Sequence, residues 1–244
     1  MVGTAGFDEL AERYDRYRIG YASELYDALF EHGLHRGDTV LDVGTGNGLV
    51  ARALTERGCA VTGIDVSERM LACARERVPT ATFALAAAEA LPFDAASFDA
   101  AVSAQTFHWL DEPRALAELE RVVRPGGTIA IWWKGLIRGD AVRLVRESVA
   151  AEFGLPPTPD LVTEEFEAFH GAVLDDKRLC VVPWLVTMRA CDYVGYESSR
   201  AHARDAYGAT LDAYLERLRE RLGPPEGELH LAYAHMLYVG RVPA

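Results

Sequence analysis

Short apolar runs separated by helical patterns fill the first half of the chain. The runs at 40–43 and 60–64 predict buried strands, because strands covered on both faces of a sheet read as continuous apolar segments. The segment between them, about 49–57, has a helical pattern. Five such strand–helix alternations extend to about residue 133 and indicate a parallel sheet flanked by helices. A helical arm, to about residue 33, precedes the first strand.

The pattern changes after the last alternation. A helix is predicted near 140–153, a proline-rich loop at 155–159 and an apolar strand at 180–186. Residues 192–222 are predicted to be helical, because one apolar stripe recurs at spacings of three and four. The stripe consists of Leu211, Tyr214, Leu215, Leu218 and Leu222. A last strand at 231–239 is expected to close the sheet.

These elements predict an α/β fold with a doubly wound, mostly parallel seven-stranded sheet, in a single domain over 1–244. Residues 1–35 form the expected N-terminal arm, and residues 36–135 form the cofactor-binding core. Residues 136–244 complete the sheet and supply a helical insertion late in the chain. We expect the arm and the insertion to cover the ligand crevice, with the insertion as a substrate lid. A dimerisation surface is the alternative role for the insertion.

Composition narrows the classes of partner. The formal net charge of −12 argues against nucleic acid, because a phosphate backbone requires a basic binding surface. The apolar runs are shorter than the ~20 residues of a membrane span, and no secretory apolar region is seen, so no membrane partner and a cytoplasmic location are expected. The four cysteines lack ligand spacing, so no metal is predicted. A small-molecule acceptor and a monomer or homodimer fit this profile, and the preference for arginine over lysine indicates a bacterial source.

The first predicted strand runs directly into a glycine-rich turn. Gly44, Gly46 and Gly48 stand at alternate positions, which lets the backbone bend sharply and approach a ligand where a Cβ would collide. The helix that follows points its N-terminal N–H groups toward the same ligand. The predicted cofactor contacts in this turn are Gly44, Thr45, Gly46 and Asn47.

An acidic residue ends the second predicted strand. Asp65 follows Gly44 by 21 residues, a spacing that places a carboxylate where it can accept hydrogen bonds from the ribose hydroxyls of an adenosine. The alternative is a helix-capping acid, although Ser67 would cap that helix equally well. The dinucleotide fingerprint needs a third glycine at position 49, where Leu49 stands. An NAD-linked oxidoreductase is therefore disfavoured.

Four motifs in this order resemble those of class I S-adenosylmethionine-dependent methyltransferases. They are the acid and glycine turn at 42–48 and the segments 88–94, 97–111 and 121–127. Within that class they look like the small-molecule group that includes trans-aconitate methyltransferase and its ubiquinone-pathway relatives. The resemblance covers about residues 7–135 and implies a Rossmann-like fold, S-adenosylmethionine as cofactor and S-adenosylhomocysteine as product.

The resemblance also implies where the adenine lies. Relatives often carry an aspartate two residues before Glu89 to meet the adenine amino group, and here that position is Ala87. Backbone atoms of Ala88 and the Glu89 side chain are the expected substitutes. Val66 and Met70 should form the apolar walls, with ordinary core packing as their alternative. Gln105 is a further predicted cofactor contact.

The N-terminal arm is similar to the relatives' Tyr-x-x-x-Arg-Pro-x-Tyr signature. The resemblance implies that Arg18 pairs with the cofactor's carboxylate and that Tyr14 lies against the sulfonium. Tyr17 and Tyr21 are predicted substrate contacts. Ile19 stands where relatives usually have proline, which affects the path of the arm. An amphipathic surface helix is the alternative.

His108 is the candidate catalytic residue. It follows the fourth predicted strand beside Trp109, where it could act as a general base if the acceptor carries a hydroxyl, phenol or ammonium group. A structural histidine within that loop is the alternative. Trp109 and Trp133 are predicted to line the substrate pocket, although core packing would also explain a tryptophan.

These observations predict an S-adenosylmethionine-dependent methyltransferase that acts on a small organic acceptor, by O-methylation of a carboxylate or hydroxyl. N- or C-methylation of a small metabolite, or a non-catalytic cofactor-binding protein, are the alternatives.

Overall fold

The computed structural model describes residues 15–156 and 166–244. Its centre is a seven-stranded sheet in the order β3-β2-β1-β4-β5-β7-β6. Only β7 runs against its neighbours, since it pairs antiparallel with both β5 and β6. The strands are β1 Thr39–Val43, β2 Ala60–Asp65, β3 Thr82–Leu85, β4 Phe98–Ala104, β5 Val123–Leu136, β6 Asp175–Arg189 and β7 Glu228–Arg241. The prediction of a mostly parallel seven-stranded sheet is confirmed.

Helices cover both faces of the sheet. They are α1 Ser23–Glu31, α2 Leu49–Glu56, α3 Glu68–Arg77, α4 Glu112–Val122, α5 Ala141–Glu152, α6 Glu167–Gly171, α7 Ala190–Ser198, α8 Ala201–Tyr207 and α9 Leu211–Leu222. Residues 15–17 are also helical, and short 3₁₀ turns lie at Phe107–Trp109 and Gly208–Thr210. Among the helices of that part, none combines the length and apolarity that a membrane crossing needs.

One predicted helix is missing. The segment 86–97 joins β3 to β4 without a helix, so the third of the five expected alternations is wrong. Pro92 lacks a backbone N–H and disfavours a helical residue before it. The alanine-rich stretch that precedes it is too short to nucleate a helix alone.

Two apolar clusters lie on the two faces of the sheet. Alternate residues of β1 divide between them: Leu41 and Val43 belong to one cluster, and Val40 belongs to the other. A third cluster lies beneath the late helices, where Tyr214, Leu215 and Leu218 of α9 are buried. The stripe predicted for this helix is confirmed.

The carboxyl ends of β1, β2, β4 and β5 meet at one edge of the sheet. The strand order reverses at β1, because β2 pairs on one side of it and β4 on the other. Ligands of doubly wound sheets bind outside the carboxyl ends at this switch point. The glycine-rich turn after β1, the end of β2 and the loop after β4, which carry several of the predicted site residues, lie at this edge.

Candidate functional site

The glycine-rich turn between β1 and α2 has a backbone that only glycine adopts readily. Gly44, Gly46 and Gly48 all have positive φ, of 68°, 54° and 80°. A Cβ at Gly44 would lie 2.3 Å from the Thr106 side chain, so the turn also needs glycine there for space. Gly48 is the N-cap residue of α2, which directs that helix terminus toward the crevice.

The polar side chains of the turn are buried. Thr45 is 6% exposed, and Asn47 is 1% exposed. Asn47 donates from Nδ2 to the Asp15 carboxylate at 3.0 Å, which ties the turn to the N-terminal arm. Their predicted role as cofactor contacts stays a prediction.

Asp65 lies at the carboxyl end of β2, beside this turn. Its Oδ2 accepts the Gly46 N–H at 2.9 Å, and its Oδ1 accepts the Ser67 N–H at 2.9 Å. Both oxygens are therefore oriented by backbone N–H groups. Ser67 is the N-cap of α3, where its Oγ accepts the Met70 N–H. Ser67, and not Asp65, is therefore the N-cap residue of this helix.

Two exposed apolar side chains, those of Val66 and Leu85, lie next to Asp65, and the surface that they form is called the apolar slot. Val66 is 45% exposed, and Leu85, which pairs with Asp65 across β2 and β3, is 59% exposed. Exposed apolar side chains at the ends of neighbouring strands suit a flat base. Met70 is buried, in agreement with core packing, and its role as a wall stays a prediction. The sequence analysis missed Leu85, which the parallel pairing with Asp65 alone brings to the slot.

The loop after β3 carries the two residues predicted to replace the missing aspartate. Ala88 is buried within the apolar cluster that includes Phe98. Glu89 accepts the Asp111 N–H at 3.0 Å through Oε1, and so links this loop to the start of α4. Their predicted contacts with adenine are untested.

Asp42 is a buried acid that the sequence analysis did not assign to the site. It is 1% exposed in β1, and its Oδ2 accepts the Thr45 hydroxyl at 2.6 Å. Within the described residues its Oδ1 has no partner at hydrogen-bond distance, although the nearby Ala51 N–H also stabilises the charged carboxylate. Burial raises the pKa of this carboxyl to about 7, the hydrogen bond from Thr45 opposes the shift, and the charge of Asp65 adds to it. An acid inside an apolar strand two residues before the first glycine was the available signal.

Asp42→Asn is expected to stabilise the folded protein at alkaline pH. An acid whose pKa is higher in the folded state binds more protons when folded, so its contribution to stability falls as pH rises from about 4 to about 7. The full shift corresponds to on the order of 4 kcal/mol, and the buried amide offsets part of that gain. Thermal unfolding at about pH 8.5 should show a higher Tm for the variant, with a smaller difference at about pH 5. Equal differences at both pH values would contradict the assignment.

The described part of the N-terminal arm crosses the carboxyl edge of the sheet. Tyr17 packs against α7, where a Cβ on Gly195 would lie 2.4 Å from its ring. The Arg18 guanidinium lies over the Tyr196 ring at 5.3 Å. Tyr21 meets Trp132 edge to face at 5.6 Å.

The functional roles predicted for the arm are untested. Tyr14 lies outside the described residues. The carboxylate contact of Arg18 and the substrate contacts of Tyr17 and Tyr21 stay predictions.

The ends of β4 and β5 are tied together by Gln105. This residue has a left-handed backbone conformation with φ of 58°, which is uncommon for any residue other than glycine. Its N–H donates to the Trp132 carbonyl, and its Nε2 donates to the Lys134 carbonyl, both at 2.9 Å. The side chain is therefore committed to β5 in this structure, and its predicted cofactor contact stays a prediction.

His108 and Trp133 form a hydrogen-bonded pair at the same edge. The indole Nε1–H of Trp133 donates to His108 Nδ1 at 3.0 Å, and the His108 ring is exposed. Trp109 lies beside His108, with ring centroids 4.8 Å apart. The structure thus brings together three residues that were predicted to line a substrate pocket. An indole can only donate, so Nδ1 is the unprotonated nitrogen and neutral His108 carries its proton on Nε2.

The fold and the glycine-rich turn can now be compared with those of known proteins. Residues 41–131 match a family model described as a methyltransferase domain. An uncharacterized methyltransferase of Mycobacterium tuberculosis is 37% identical over 141 residues, which cover 58% of this chain and 56% of the relative. The chain thus spans about half the length of the curated relatives that it matches.

Two further proteins that this chain resembles are also described as methyltransferases. A malonyl-[acyl-carrier protein] O-methyltransferase of Salmonella typhimurium is 47% identical over 93 residues, or 38% of this chain and 37% of the relative. The solved structure of a protein provisionally assigned as a type II methyltransferase, from Anaeromyxobacter dehalogenans, superposes with a TM-score of 0.69. It is 27% identical and covers 93% of this chain and 99% of its own.

Proposed function

We propose that this protein transfers the methyl group of S-adenosylmethionine to a carboxylate oxygen of a small organic acid. The observation that carries the cofactor assignment is the oriented Asp65 carboxylate beside the glycine-rich turn. The turn lacks the third glycine that a pyrophosphate needs, because Leu49 stands there. The family match over residues 41–131 supports the same assignment.

The residues present suit an adenosine with an amino acid tail. Asp65 would accept the ribose hydroxyls, and Val66 and Leu85 would enclose the base between exposed apolar side chains. When bound, the sulfonium cofactor supplies an electrophilic methyl group. The protein then has to hold the two reactants in line and exclude water.

The His108–Trp133 pair favours a carboxylate over a hydroxyl acceptor. With Nδ1 occupied by the indole N–H, neutral His108 presents an Nε2–H donor and no free lone pair. A hydroxyl, phenol or ammonium acceptor would need a base at this place, whereas a carboxylate is already ionised and accepts such a donor. The name of the Salmonella typhimurium relative specifies transfer to oxygen and agrees with this choice.

The arm and the late helices form the proposed cover of the acceptor site. Tyr17 and Ile19 of the arm pack against the apolar cluster that α5, α7 and α9 share. This packing supports the assignment of 136–244 as sheet completion and lid within a single domain over 1–244. Closure of such a cover would exclude water from the reacting groups, and exclusion of water favours methyl transfer from a sulfonium.

Calorimetric titration tests the cofactor assignment. The purified protein is expected to bind S-adenosylmethionine and S-adenosylhomocysteine, and to give no heat with NAD or NADP at the same concentrations. S-adenosylhomocysteine should compete with S-adenosylmethionine for one site. Dinucleotide binding without any response to the sulfonium compound would overturn the proposal.

Turnover separates an enzyme from a cofactor-binding protein. A set of small carboxylic acids, phenols and amines is incubated with methyl-labelled S-adenosylmethionine, and the labelled products are treated with mild base. We expect label in base-labile methyl esters. Stable labelled ethers or amines would identify a hydroxyl or nitrogen acceptor instead, and binding without any turnover would support the non-catalytic alternative.

A further inference from the structure

Lys134 is a buried lysine near the end of β5, within a cage of aromatic rings. Its side chain is 7% exposed, and its Nζ donates to the carbonyls of Ile19 at 2.9 Å and Gly20 at 2.8 Å. Four ring centroids surround Nζ at 4.8–5.9 Å, those of Tyr21, Trp184, Tyr196 and Tyr233. A cation over aromatic faces gains electrostatic stabilisation, most strongly when water is excluded.

The two carbonyls belong to the C-terminal part of the N-terminal arm, which Lys134 binds. In the N-terminal part of the described arm, Asp15 accepts hydrogen bonds from Asn47 in the glycine-rich turn and from Arg77 of α3. Between these contacts, Tyr17 packs on Gly195 of α7. The arm therefore spans the carboxyl edge of the sheet from β1 to β5, above the crevice.

The Lys134 amine has its two carbonyl acceptors only while the arm lies in this position. Among the ion pairs of the described residues, none joins Lys134 to a carboxylate. Burial, together with the charge of Arg18, holds the pKa of the Lys134 amine well below its usual range. A buried amine without its carbonyl acceptors would be unfavourable, so departure of the arm and hydration of Lys134 are coupled.

We propose that Lys134 is the latch of the N-terminal arm: it holds the Ile19–Gly20 backbone against β5, and thereby positions Tyr17 and Arg18 over the crevice. It is a positioning residue, since it acts through the arm. The latch itself is independent of the proposed methyl transfer, whereas its effect on cofactor affinity rests on the proposed function.

Amine labelling of the unmodified protein tests the latch directly. The chain has only two lysines, Lys134 and Lys177, and Lys177 is exposed on β6. With limiting acylating reagent and peptide mass spectrometry, we expect Lys134 to react at least about tenfold more slowly than Lys177. Both amines donate to two backbone carbonyls, but only the Lys134 amine is buried and needs the arm to move before reagent can reach it. A lowered pKa alone would make Lys134 the more reactive amine, because more of it would be unprotonated. Slow acylation of Lys134 therefore indicates that the arm shields its amine from the reagent. Equal or faster labelling of Lys134 would overturn the proposal.

Lys134→Met removes both hydrogen bonds while retaining an unbranched apolar side chain in the cage. Amide exchange of residues 17–22 is expected to accelerate at least about tenfold, with the sheet unchanged. If the proposed function holds, KM for S-adenosylmethionine should rise by a similar factor, with a smaller change in kcat at saturation. Lys177→Met is the matched control and should change neither.

Gly195→Ala tests the position of the arm at its contact with α7, where Tyr17 packs on Gly195. The new Cβ would collide with the Tyr17 ring, although alanine favours the α7 helix itself. Faster exchange of residues 17–22 in both Lys134→Met and Gly195→Ala would support one closed arm held at two places. Unchanged exchange in Lys134→Met would overturn the latch, whatever the result of cofactor binding.

Discussion

Asp65→Ala is expected to weaken binding of S-adenosylmethionine by about a hundredfold or more. The carboxylate would accept two ribose hydrogen bonds, each worth on the order of 1.5–3 kcal/mol because the acceptor is charged. At about 1.4 kcal/mol for each factor of ten, loss of both gives at least that reduction. The variant also removes the acceptors of the Gly46 and Ser67 N–H groups, so the turn itself loses orientation. Calorimetric titration with S-adenosylhomocysteine measures the change.

Ser67→Ala is the matched control for this experiment. It removes the side-chain cap of α3, which should cost about 1 kcal/mol of stability, but it leaves the Asp65 oxygens and the Ser67 backbone N–H in place. We therefore expect a lower Tm with a nearly unchanged dissociation constant. If Asp65→Ala lowered Tm and left cofactor affinity unchanged, Asp65 would serve the fold and not the ligand.

Local signals were sufficient to predict the glycine-rich turn and the acidic residue that lies beside it. The apolar strand, the alternate glycines and an acid 21 residues after Gly44 lie within one strand–helix–strand unit, whose geometry is nearly fixed. The positive φ angles of the turn and the hydrogen bond from Gly46 to Asp65 agree with that prediction. The stripe on α9 was predictable for the same reason, because helical periodicity is a local property.

Contacts between distant segments were not predictable. Leu85 reaches the slot through pairing of β3 with β2, and Lys134 meets Ile19 across 115 residues of sequence. Apolar periodicity shows which positions are buried, but it does not show which polar atoms will meet inside the fold. The His108–Trp133 hydrogen bond is of this kind, since 25 residues separate its partners. It alters the chemistry that His108 can perform.

His108→Gln is expected to retain turnover within about tenfold of the wild type, whereas His108→Ala should lose more. A glutamine amide can replace the Nε2–H donor, but it cannot accept a proton as a base does. Loss of a general base would instead cost about 10²–10⁴-fold in both variants, and the wild-type rate would rise through a pKa near ~6.5. Initial rates from about pH 6 to pH 9 with a carboxylate acceptor measure this, and a flat profile for His108→Gln supports the donor role.

Trp133→Phe distinguishes a hydrogen-bond donor role of His108 from a general-base role by changing its hydrogen-bond partner. The variant retains an aromatic side chain against Phe166 and Tyr238 but removes the indole N–H that fixes the His108 tautomer. If His108 is a donor, loss of orientation should lower kcat by about tenfold, because one neutral hydrogen bond of about 1 kcal/mol holds the ring. If His108 is a base, Nδ1 becomes free to accept a proton, and turnover should be maintained or should rise. A faster Trp133→Phe enzyme together with an inactive His108→Gln enzyme would therefore reject the carboxylate assignment and identify a hydroxyl or amine acceptor.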